Sequence, residues 1–106
     1  MTETIVVNFR RERCDVKICR RPNNSIPDPP HDGCFGNPYH LLDPNDDAAR
    51  DMVCDLYEAY FLKRVDSDLA FRKAVLALRG LKLGCHCKPK RCHGDTIAAW
   101  LSCNLE

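Results

Sequence analysis

Residues 81–101 read LKLGCHCKPKRCHGDTIAAWL, and the changes of character along this stretch decide the fold. Leu81 to Cys85 form a short apolar run behind Gly80 and read as a buried strand. In GDTIAAWLSC, Gly94 to Cys103, Ile97, Ala98 and Leu101 recur at helical spacing and mark a C-terminal helix. Strand, loop and helix in succession are the unit of an α/β sheet. Open sheets of that kind bind their ligands in the loops at the carboxyl ends of strands. The loop here is CHCKPKRCHGD, with three cysteines, two histidines and three basic residues among its members.

Upstream, Gly80 sits where a helix should stop. That helix opens at Ser67 and Asp68 and takes its apolar face from Leu69, Val75, Leu76 and Leu78. A longer helix precedes it. Asn45 offers its cap, Asp46 and Asp47 complement its positive end, and Ala49, Met52, Val53, Leu56, Tyr57, Tyr60 and Phe61 recur at three and four as far as about Lys63. At the N-terminus, TIVVNF (Thr4 to Phe9) and DVKIC (Asp15 to Cys19) read as strands. The short RRER link between them favours a tight connection or hairpin over a helical crossover. Residues 20–44 hold six of the chain's seven prolines and are expected to form a long irregular loop, partly mobile. The expected fold class is therefore α/β: a single-domain Rossmann-like sandwich over residues 1–106, with a short, largely parallel sheet and a long Pro-rich loop.

Lys plus Arg total 16 against 15 for Asp plus Glu, a formal charge of +1. Nothing global draws such a chain to nucleic acid or to an anionic membrane, so nucleic acid stays open as a partner only through a local patch. No apolar run approaches a membrane span, and MTETIVVNFRRER lacks the features of a signal peptide. A cytoplasmic protein is expected, with no membrane partner and no feature that fixes an oligomeric state. In that reducing compartment the eight cysteines are expected to stay free, which favours metal binding or thiol chemistry over a disulfide framework.

The loop itself admits three chemical readings. Cys85, Cys87, Cys92 and His93 form C-x-C-x4-C-H, a donor set suited to tetrahedral zinc; C-x-C strains the usual geometry, and His31, Cys34 or His40 could supply a missing ligand. Cys85-x5-Arg91 matches the spacing of thiolate phosphatase loops, although Pro89 removes a donor and no glycine lies between the two. Lys88, Lys90 and Arg91 ahead of a helix start make an anion site, where Asp95 could cap the helix or orient a ribose hydroxyl or His93. The plainer alternative makes Cys85 and Cys87 core fillers and leaves the basic residues solvated. It is also the reading applied to Cys14, Cys19, Cys54 and Cys103, with Cys54 at the edge of its helix's apolar face.

Two segments, DGCFGNPY (residues 32–39) and ALRGLKLGCHCKPKRCHGDTIAAWL (residues 77–101), resemble the bacterial and phage domain of unknown function numbered 4326. VVNFRRERCDVKICRR and LYEAYF are similar to it as well. The resemblance implies a family and no mechanism. It carries over Gly36, Asn37, Pro38 and Tyr39, then Cys85, Cys87, Pro89, Cys92, His93, Gly94 and Asp95. His86 stands where the pattern has tryptophan, and Cys14, Cys19 and Cys34 lie outside the pattern.

In the GNPY segment, Gly36 frees the backbone, Pro38 stiffens it and Asn37 offers both a donor and an acceptor, either for a ligand or for a structural turn. The two segments are expected to wall one pocket for a small anionic or nucleotide-like ligand. Gly36, Asn37, Tyr39, Lys88, Arg91 and Gly94 would bind it, with His93 and Asp95 as the working pair. The competing expectation is a zinc domain that uses Cys85, Cys87, Cys92 and His93 for stability or recognition.

Overall fold

A computed structural model describes residues 3–20, 26, 33–43 and 45–104. His31 and most of the segment from 21 to 32 lie outside the described residues, as does the expected mobility of that part of the loop. The elements in chain order are β1 (Ile5–Asn8), β2 (Val16–Lys17), α1 (Asp47–Ser67), α2 (Leu69–Leu76), β3 (Lys82–Cys85) and α3 (Gly94–Cys103). The class is α/β with a short three-stranded sheet, as expected.

The strand order is β1-β3-β2, and both pairings are parallel. This corrects the hairpin expectation, because β1 and β2 do not pair with each other. Parallel neighbours usually need a crossover of a dozen or more residues. Here residues 9–15 suffice because they lie directly on the face of β3. Phe9 N donates to Cys85 O at 3.2 Å where the connection begins, and Asp15 N donates to Lys82 O at 2.8 Å where it ends. Between those points it passes over Gly84. A Cβ on Gly84 would stand 2.5 Å from Cys14 Sγ and 3.2 Å from Phe9 Cβ. No residue with a side chain fits that face of β3 unless the crossover moves.

The opposite face of the sheet carries the core. Leu83, Cys85 and Ile18 are fully buried, and Val6 and Val16 pack against them. All three helices contribute to this layer. On α1 the buried positions are Arg50, Cys54, Tyr57, Phe61 and Val65. Phe61 meets Phe71 of α2 edge-on at 5.8 Å and Trp100 of α3 at 6.1 Å. Such pairs add roughly 0.5–1.5 kcal/mol each beyond the area they bury.

Helix boundaries follow their caps. Asp46, one residue beyond the expected Asn45, caps α1 by accepting from Ala49 N at 3.0 Å. The helix continues past Lys63 to Ser67, where Asp68 ends it and caps α2 through Phe71 N at 3.1 Å. Gly80 lies at φ 79°, the left-handed conformation expected of the stop. Among the described residues, no helix is long and apolar enough to cross a membrane.

Candidate metal centre

β3 delivers Cys85 to the C-terminal edge of the sheet, and the chain then turns back along that edge through Cys87 to Cys92. Cys85 is fully buried, its Sγ lies within 4.8 Å of Cys19 Sγ, and Cys19, Cys87 and Cys92 all act on its thiol. Cys19 arrives from β2. Lys17 pairs with Gly84, so two residues further along the same register Cys19 comes beside His86. Its Sγ lies 3.4 Å from His86 Nδ1. The ligand atoms of Cys19, Cys85 and His86 all fall within 4.8 Å of one another, so this group could hold a metal ion. Tetrahedral zinc at ordinary Zn–S and Zn–N lengths sets its ligands about 3.5–3.8 Å apart. The Cys19–His86 edge is already that short.

The electrostatics suit a cation. The thiol of Cys19 is lowered to about 4, first by the hydrogen bond from Cys85 and then by His86, against the opposing effect of burial. Cys87 falls to about 3 for the same two reasons, with Arg50 also contributing. His86 is raised to about 10 by its hydrogen bonds to Cys19 and then Cys87. Cys85 is pushed upward because it is the shared donor to its three sulfur neighbours. One S–H proton can serve one acceptor at a time. A divalent cation between Cys19, Cys85 and His86 would bind thiolates, the form that Cys19 already favours. All eight cysteines are free thiols.

The structure places the other expected residues as follows. Cys92 is buried, and its thiol is lowered by the hydrogen bond from Cys85. His93 sits inside the core, with Nε2 2.7 Å from Ile18 O and its ring edge-on to Tyr57 at 4.9 Å. Burial lowers its pKa, so the neutral ring donates Nε2–H to that carbonyl. Asp95 accepts from Cys92 N at 3.2 Å and pairs with Lys88. Arg91 reaches Asp55 at 2.8 Å and Asp51 at 3.3 Å on α1. Gly94 lets the start of α3 rest on the sheet, since a Cβ there would stand 2.6 Å from Ile18 Cδ1.

The GNPY segment docks on the same helix as Arg91. Asn37 donates to Val53 O at 3.2 Å and accepts from Tyr39 N at 2.8 Å, while Arg20 bonds the Asn37 carbonyl. Gly36 allows the Arg20 backbone to approach, for a Cβ there would meet Arg20 N at 2.7 Å. Both motif segments therefore pack against the first half of α1. Tyr39 lines a depression of about 540 Å³ beside Tyr60 and Arg64, whereas Arg91 and Asp95 line another of about 450 Å³ beside Thr96 and Trp100.

Sequence reasoning missed Cys19, His86 and Arg50. Cys19, by its sequence context a small core filler, belongs to the thiol cluster. Cys54, expected at the edge of its helix's apolar face, is buried. The signal for Cys19 and His86 lay in strand register, which becomes readable only when β2 is known to neighbour β3.

The family model described as "Domain of unknown function (DUF4326)" matches residues 7–103. A chain of Enterobacteria phage T4, described as an uncharacterized 12.4 kDa protein in the nrdA-td intergenic region, is 38% identical over 93 residues. That match covers 88% of this chain and 72% of the phage protein. No solved structure matches.

Proposed function

The chain belongs to the DUF4326 family, and from that premise we propose that it is a metal-binding domain. Cys19, Cys85 and His86, with Cys87 as the fourth donor, would hold one zinc ion at the C-terminal edge of the sheet. The observation that carries this reading is the convergence of three ligand atoms from two strand ends within 4.8 Å. Three thiolates and an imidazole form a closed, structural kind of zinc site and favour zinc over hard cations. The ion would tie β2 to the β3–α3 loop, two pieces of chain more than sixty residues apart. A reducing compartment such as the cytoplasm keeps the thiols available for it.

A nucleotide-like or phosphorylated ligand has weaker support. Asp95 is engaged by Lys88 and Cys92, Arg91 by Asp51 and Asp55, and Asn37 by Val53 and Tyr39. These three polar groups expected to serve such a ligand already have partners within the chain.

Elemental analysis of protein purified under reducing conditions tests the metal reading. One zinc per chain is expected, falling to background in Cys19→Ser and His86→Ala and unchanged in Cys103→Ser, whose thiol is exposed and outside the cluster. Cobalt substitution should give intense thiolate-to-metal absorption. Metal-free protein whose stability ignores chelators would overturn the assignment.

A further inference from the structure

The crossover between β1 and β2 carries a charge that neither the fold nor the metal centre uses. Residues 9–17 read FRRERCDVK, with Arg10, Arg11, Arg13 and Lys17 against Glu12 and Asp15. The four cations are exposed. Among the described residues none of them pairs with a carboxylate, whereas Glu12 faces Lys82 at 3.8 Å and Asp15 accepts from Lys82 N at 2.7 Å. The half-buried ring of Phe9 sits among them, with Lys17 Nζ 4.8 Å and the Arg10 guanidinium 6.0 Å from its centroid. His86 approaches the same ring edge-on at 6.5 Å. Charge is segregated across the molecule: residues 43–68 hold eight acidic and three basic residues.

We propose that this crossover face binds the backbone of single-stranded nucleic acid. Three arginines and a lysine on a short surface layer match phosphate geometry, and arginine in particular grips phosphate oxygens in pairs. Aromatic rings set among cations suit unpaired bases more than a closed duplex. An anionic membrane fits less well. Surface-lying segments anchor through apolar side chains, and most of the exposed large apolar residues, Leu42, Met52, Leu56, Leu62 and Leu69, lie outside this layer. The acidic α1 side would repel the strand and so orient it. This inference stands on the charge layer and is independent of the metal reading.

Fluorescence anisotropy with a short labelled single-stranded oligonucleotide tests it on the full chain. Four phosphate contacts predict a log–log salt slope of about −2.8, hence about a fiftyfold loss of affinity between about 50 and 200 mM salt. Arg11→Ser with Arg13→Ser should cut that slope by about half. Lys63→Ser with Lys73→Ser, on exposed helical positions with the same loss of charge, should leave it unchanged. Equal losses in the two double variants, no binding at low salt, tighter binding to duplex, or preferential capture by phosphatidylserine vesicles would each overturn the proposal.

Discussion

Gly84 shows how one missing side chain decides a connection. With Cys14 Sγ 2.5 Å from where its Cβ would be, Gly84→Ala should lift the crossover from the sheet and cost about 1–3 kcal/mol in urea unfolding. Cys14→Ala should recover part of that loss in the double variant, because it removes the nearer of the clashing atoms. Tyr57 works in the opposite sense, through a group that is present. Its hydroxyl donates to Phe35 O at 3.0 Å in the core, so Tyr57→Phe leaves that carbonyl unpaired. A loss of about 1–3 kcal/mol is expected, with faster amide exchange around residues 34–37. Cys19 and His86 are the two positions that stand apart from the family pattern at this end of the sheet, and they are the ones that join Cys85. Resemblance directs attention to shared letters, and so it passed over them.

At the scale of elements, α1 was legible in existence and type but not in orientation. Its apolar residues occupy more than one side, and the expected face included Met52 and Leu56, both of which are exposed. The buried stripe instead runs through Arg50, which is amphipathic enough to pack its stem while its guanidinium donates to Arg91 O at 3.4 Å. The junction of α1 and α2 rests on Asp68. Its carboxylate is held below the usual value, first by Phe71 N–H and then by Arg64. A depressed carboxylate stabilises the fold fully above its unfolded pKa, and that contribution disappears as pH falls through the lower folded value. Thermal unfolding from neutral pH down to about pH 3 should therefore show a loss of stability that is smaller in Asp68→Asn, which keeps a capping oxygen and does not titrate. An identical pH profile in both proteins would remove Asp68 from this role.

For the whole molecule, the thiol cluster is a long-range tie. Cys19 lies near the start of the chain and Cys85 near its end, and their sulfurs lie within 4.8 Å of each other. A bound ion would stabilise only the folded state, by about 2.7 kcal/mol when its free concentration is a hundredfold above Kd. Adding a strong chelator should then lower Tm in the wild-type protein and have no effect in Cys19→Ser. The acidic ion-pair set on α1 serves a milder purpose. Lys90–Asp47, Arg91–Asp51 and Arg91–Asp55 clip the closing loop to the helix, at roughly 0–1 kcal/mol per exposed pair.

Local chemistry was enough to place the three helices, the strand after Gly80, the cap at Asp68 and the cysteine-rich turn at a strand's end, because periodicity, capping and turn residues act within a few positions of one another. Tertiary structure alone decided that β3 separates β1 from β2, that Cys19 and His86 meet, and that His93 faces the core. Those outcomes depend on parallel register between strands far apart in sequence, and on which side of a helix the neighbouring elements leave room to bury.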